Sequence, residues 1–275
     1  MRKLYTLLFL TFILSQNSLF AQVVSSNSQL QTAISNATAG TTITLANGIW
    51  TNIYLSINKT GTIANPINIV AQTSGQVFFE GNSRISLGGS YIIFDGVIFR
   101  NPSNLVDNGS TLEPVIEFRS SNNTSCSNCI VRNVKIDSYN GTAAQSQDTF
   151  KWIILYGQNN EVSYSSFVGK YGVGSIINDN RDAATANYHK IHHNYFADRT
   201  PVGVINELND QDAIRIGNSS TSLSNSFTEV YNNLFNNWSG EVEIISNKSG
   251  KNKYYYNTFR DYQGTLTLRH GNDCE

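Results

Sequence analysis

The chain has 275 residues, 40% of them hydrophobic and only 14% charged, with a formal charge of −1. That is enough for one large domain with its own core, and it gives no overall attraction for nucleic acid or acidic polymers. Any anionic ligand must be held by a local cluster of positive charge, and four prolines against 35 asparagines and 20 glycines favour short strands joined by tight turns.

The first predicted element is an export signal over residues 1–21. Arg2-Lys3 is its positive start, Leu4 to Leu14 its apolar run, and Leu19-Phe20-Ala21 ends on a small residue suited to cleavage. The run is too short to span a membrane, and no later segment qualifies. The expectation is a secreted protein, extracellular or periplasmic, maturing near Gln22. Loss of Arg2 and Lys3 takes the formal charge to −3. Residues 22–275 then read as one domain, because no linker or change of composition divides them.

Leu30, Ala33, Ile34 and Ala37 recur at helical spacing before Gly40, which predicts a short amphipathic helix. Such a helix can cap the open end of a repeating structure. A repeat does follow. Strand-like segments run over Tyr91–Phe99, Cys129–Ile136, Asn160–Phe167, His189–Phe196, Thr228–Phe235 and Lys253–Phe259. Their closing residues are 37, 31, 29, 39 and 24 positions apart. A second series lies between them, at Val115–Phe118, Trp152–Leu155, Ser175–Ile177, Ala213–Ile216, Val242–Ile245 and Leu266–Leu268. Two or three short strands per irregular period predict an all-β fold, a right-handed parallel β-helix with a short N-terminal capping helix. Asn133, Asn194, Asn232, Asn233 and Asn257 recur where turns are needed and can form ladders.

Three cysteines, Cys126, Cys129 and Cys274, make no disulfide framework. Cys126 and Cys129 read as a small loop bridge or two free thiols rather than a zinc site. His189, His192 and His193 read as structural or surface groups. Asp179, Arg181 and Asp182 read as a solvated charged loop, with a substrate-contact role open. Tyr254, Tyr255 and Tyr256 read as alternately filling the interior and coating the surface.

The chemistry concentrates near the C-terminus. Glu241 and Glu243 are two residues apart on a strand, so their carboxylates point the same way and form half of an oxygen site for a hard cation. Lys248 follows five residues on, and Arg269 and His270 come about one period later. From Arg215 to Glu243 is 28 residues and from Glu243 to Arg269 is 26, both coil-sized steps. Taken singly, the glutamates read as a solvated face or ion-paired groups, and Lys248 as a loop lysine. Together at this spacing they read as a site for an anionic sugar.

Ile214-Arg-Ile-Gly217, Glu241-Val-Glu-Ile-Ile-Ser-Asn-Lys-Ser249 and Gly264-Thr-Leu-Thr-Leu-Arg-His-Gly271 resemble polysaccharide lyase family six, which contains alginate lyases and the dermatan-cleaving chondroitinase B. The resemblance implies a calcium-assisted β-elimination of a uronate polymer, most of all alginate, with dermatan sulfate as the rival substrate. It implies Lys248 as general base and Arg269 as general acid. It implies Asn209, Glu241 and Glu243 as calcium ligands, with Asp210, Gln211 and Asp212 in the same loop as substitutes for Asn209. It implies substrate contacts at Arg215 and His270. Because relatives carry further coils, the chain is expected to be C-terminally truncated, with an uncovered strand edge near Glu275. Two other readings stay open: a catalytically weak β-helix that binds anionic polysaccharide, and a polygalacturonase-type hydrolase, for which Asp210 and Asp212 are the close acidic pair.

Overall fold

Ser26 opens the helix α1, Asn27–Asn36, by accepting the Gln29 N–H on its hydroxyl at 3.3 Å. Leu30, Ala33 and Ile34 are buried, as their spacing predicts. The helix closes four residues before Gly40, with Ala37 in extended conformation and its N–H bonded to Ile34 O. Gly40, at φ 87°, serves the following turn instead, where its N–H bonds Asn65 O. A computed structural model describes residues 22–203 and 209–275. The export signal predicted over residues 1–21 lies outside the described residues.

After the helix the chain winds through three long sheets in which every strand pair is parallel. This is the predicted β-helix. Each segment read from the sequence as one strand of the first series is in fact two strands on two sheets. Ile130–Arg132 and Lys135–Asp137 are one such pair, and Glu229–Tyr231 and Leu234–Trp238 another. The bend between them is made by residues at positive φ: Gly96, Asn133, Tyr164, His193, Asn232 and Tyr256. Glycine and asparagine tolerate that conformation, but tyrosine and histidine do so only at a cost. Stacking offsets part of it, since the Tyr164 and His193 rings lie 4.8 Å apart and nearly parallel.

The residues after the later bends, Ser165, Asn194, Asn233 and Asn257, each tie their coil to the one before. Asn194 Oδ1 accepts the Ser165 N–H at 3.0 Å, Asn233 Oδ1 that of Asn194 at 3.0 Å, and Asn257 Oδ1 that of Asn233 at 3.1 Å. A second ladder runs where the third sheet turns into the first. There Asn160 Oδ1 accepts the Cys129 N–H, His189 Nδ1 that of Asn160, and Asn252 Oδ1 that of Thr228. His189 is thus structural. Between the ladders the closing residues of the first series stack as a column, Phe99–Ile136–Phe167–Phe196–Phe235–Phe259. All but Phe259, which is half-buried, lie in the core.

Cys126 and Cys129 form the loop bridge. Cys274 is free and accepts a hydrogen bond from Asn247 Nδ2. The reading of Asp179 and Arg181 as a solvated loop is overturned, because both are buried. Arg181 donates to the carbonyls of Thr185, Thr221, Ser224 and Asn225 and to Asn187 Oδ1. Asp179 lies inside the helix between His189 and the Ser226 hydroxyl. Asp182 alone is exposed, paired with Arg119.

Candidate active site

The third sheet positions the site. Its strands Ile153–Leu155, Ile177–Asp179, Ile214–Ile216, Glu243–Asn247 and Thr265–Leu268 stack in register. Inward rungs of Ile153, Ile177, Ile214 and Ile245 fix that register by burying one side chain per coil. An inward rung further along is Leu155, Asp179, Ile216, Asn247 and Leu268. One residue beyond that rung stand Tyr156, Asn180, Gly217, Lys248 and Arg269. Backbone bonds hold these last positions in line, with Lys248 N–H to Ile216 O at 2.8 Å and Arg269 N–H to Asn247 O at 3.0 Å.

Lys248 and Arg269 therefore occupy the same place on adjacent coils, about 4.8 Å apart along the backbone. Gly217 precedes Lys248 in the row. Its φ of +87° suits glycine, and a Cβ there would meet Lys248 O at 2.9 Å. Lys248 is nearly buried, while Arg269 is half exposed at the rim.

Carboxylates gather beside this pair. Asp212, Glu241 and Glu243 are all buried. Asp212 Oδ2 accepts two bonds from Arg215, from Nε at 3.0 Å and Nη2 at 2.8 Å, and Asp210 pairs with the same guanidinium. Glu241 Oε1 accepts the Gln211 N–H at 2.6 Å. Glu243 Oε1 lies 3.7 Å from Arg269 Nη1. Glu243 Oε2 and Asp212 Oδ1 are buried with no hydrogen-bond partner. Two orphaned carboxylate oxygens beside the buried Glu241 carboxylate offer oxygen donors of the kind a hard cation takes.

Burial pushes Glu241 up to about 7, helped by the charges of Asp212 and Glu243 and opposed by the Gln211 N–H and Arg215. Burial raises Asp212 as well, against Arg215. Burial also works against the Arg215 charge, but Asp212 and Asp210 outweigh it and hold the guanidinium above its ordinary range. Lys248 is lowered by burial, then by Arg215 and Arg269, with Asp212 and Asp210 opposing. Arg199 lies buried behind the carboxylates, brought down to about 10 by burial and supported by Asp212 and Glu241. The site thus offers a lysine with an eased proton affinity, a guanidinium on the next coil, and an acidic pocket between them and Arg215.

A family model described as Chondroitinase B matches residues 24–275. The chain belongs to the chondroitinase B family. Among solved structures this family member is similar to the PL6 family alginate lyase AlyGC, at 35% identity and a TM-score of 0.84, over 93% of this chain and 34% of that one. It is similar to a mannuronic acid specific polysaccharide family 6 lyase from human gut microbiota, at 26% identity and a TM-score of 0.80, over 91% of this chain and 56% of that one. It is also similar to the PL6 family polysaccharide lyase Pedsa3628 from Pseudopedobacter saltans, at 27% identity and a TM-score of 0.74, over 89% and 54%. The chain therefore spans about a third to just over half of the length of these relatives. No curated protein sequence matches it.

Within this chondroitinase B family chain, the fold brings together Arg215, Glu241, Glu243, Lys248 and Arg269. Arg215 and Glu243 stand on adjacent strands, one coil apart, but three residues out of register, because Arg215 stacks on Ser246. Glu243 pairs instead with Thr265, across a register shift. Asn209 is exposed beside the undescribed segment 204–208. Among the described residues no three His, Cys, Asp or Glu side chains are arranged as a complete metal site. His270 is exposed at the end of the row, its N–H on Asn247 O at 3.3 Å. His192 lies on the first sheet, where it stacks on Tyr231 at 4.6 Å, and His193 makes the bend that follows. Sequence reasoning left Asp212 as a substitute ligand and missed its clamp on Arg215, although an Asp–x–x–Arg spacing was there to be read.

Proposed function

We propose that this chain is the catalytic part of an exported lyase that cleaves a uronate polymer, alginate before others, by β-elimination. The observation that carries this reading is the placement of Lys248 and Arg269 in one row on adjacent coils beside the buried carboxylates.

Burial and neighbouring guanidiniums give Lys248 a larger neutral fraction near neutral pH than an ordinary lysine has. Its Nζ takes the proton at C5 of the uronate. The C5–H electron pair becomes the C4–C5 double bond, and the bond from C4 to the linking oxygen breaks. Arg269 stands one coil away to donate a proton or hydrogen bond to that leaving oxygen. Arg215, held by Asp210 and Asp212, offers a fixed guanidinium for the substrate carboxylate. His270 at the rim takes a further substrate contact.

The donor chemistry fits calcium: Glu241 and Glu243 would hold it, with Asn209 or Asp212 completing the set. When bound, the ion supplies positive charge that neutralises the substrate carboxylate and acidifies its C5–H. Export follows from the predicted signal over residues 1–21.

The test is absorbance of unsaturated uronate on incubation with poly-mannuronate, poly-guluronate and dermatan sulfate, with calcium present. Alginate blocks should give signal, and Lys248→Ala should lower kcat/KM at least ~10³-fold. Signal on dermatan sulfate alone would assign the rival substrate, which the family's name favours. Polymer binding without absorbance would leave a binding β-helix, and new reducing ends without absorbance a hydrolase.

A further inference from the structure

The row of Lys248 and Arg269 accounts for one sugar ring, but a polymer lies across several coils. Two residues before the rung Ile153–Ile177–Ile214–Ile245 stand Lys151, Ser175, Asp212 and Glu243. Lys151 is therefore two coils from Asp212, roughly 10 Å along the stack. Ser175 between them is small and buried, and a lysine stem can lie along such a surface while its head stays in the groove.

The surroundings of Lys151 carry charges of both signs. Its ammonium feels Arg215 and Lys248 as like charges and Asp210 and Asp212 as opposite ones. Both carboxylates are already paired with Arg215. Among the described residues, no carboxylate pairs with Lys151. A half-buried cation with no carboxylate of its own is costly to keep unless an anion joins it.

We propose that Lys151 binds the carboxylate of a uronate unit flanking the one that reacts, so that the groove grips the polymer on the coils before Arg215. This rests on the uronate-polymer reading of the site. Lys151 acts through binding and takes no part in proton transfer, so it bears on KM rather than on kcat.

The experiment compares Lys151→Gln and Lys151→Arg with the parent on long uronate polymer, after a thermal melt shows that each is folded. Lys151→Gln should raise KM about tenfold with kcat within about threefold, and Lys151→Arg should restore KM to within about threefold. Calorimetry with saturated oligouronates in the Lys248→Ala background, which needs no turnover, should show the same tenfold loss of affinity for Lys151→Gln. An unchanged KM and affinity, a loss confined to kcat, or an equal loss in Lys151→Arg would overturn the proposal. If the parent binds oligouronates but releases no unsaturated product, the lyase reading falls and the calorimetry alone decides the role of Lys151. If the parent binds no oligouronate, both readings fall.

Discussion

Lys248 gains its chemistry from its neighbours. As a base it must be neutral, so activity is lost as pH falls through its lowered pKa. Arg215 is one of the charges that lower it, after burial. Arg215→Gln should therefore move the acidic limb of the kcat/KM profile to higher pH, besides raising KM; a limb that stays in place would show that Arg215 does not act on Lys248. Asp179 carries a pH effect of another kind. Burial pushes its carboxyl up to about 7, against Arg181 and the hydroxyls of Ser226 and Thr228. The unfolded value is about 4. A raised folded value contributes stability that is fully present below about pH 4 and is lost as pH rises through about 7. Melting curves of Asp179→Asn and parent should accordingly diverge across that window, the parent losing ground by at most ~1.4 kcal/mol per pH unit. Parallel curves would refute the assignment. Asp179 and Arg181 also mark where sequence reading ends at this scale. Asn-Asp-Asn-Arg-Asp among small residues looks like a wet loop, and the carbonyls of Thr221, Ser224 and Asn225 that desolvate Arg181 arrive from 40 or more residues away. Lys151 was illegible for a related reason: next to Trp152 it reads as an ordinary strand-end cation, and only the register sets it on the same sheet two coils before Asp212.

The elements that hold the site are rungs and ladders. Asn233 accepts from the Asn194 N–H and donates to Ile191 O. Asn233→Ala leaves both unpaired inside the helix, and should cost about 2–4 kcal/mol with a matching fall in Tm. Gly217→Ala places a Cβ against Lys248 O at positive φ, at a cost of about 1–2 kcal/mol. It should depress kcat/KM by displacing the lysine, more than its effect on Tm would account for. The recurrence of asparagine and of a closing aromatic was plain in the sequence, and it carried the fold. What stayed hidden was that each recurring segment bends in the middle. Asn133 and Asn232 could have suggested a positive φ, but Tyr164 and His193 could not, because their rings support each other from neighbouring coils.

Across the whole molecule each coil buries its apolar face against its neighbours, so stability is close to a sum of coil and interface terms. A cation held by Glu241 and Glu243 would add to that sum through mass action. At a calcium concentration about 100 times Kd the gain is about 2.7 kcal/mol. Chelator should thus lower Tm in the parent and leave it unmoved in Glu241→Gln/Glu243→Gln, a difference that calorimetric scans can measure without substrate.

Ile177 and Ile214 are 37 residues apart in the chain and Ile153 and Ile177 only 24, yet all three meet on the same rung as Ile245. Chain length between rungs is free to change while the rungs stay put. Substrate preference in such a scaffold can drift by indels in its excursions, with the reacting pair handed down intact.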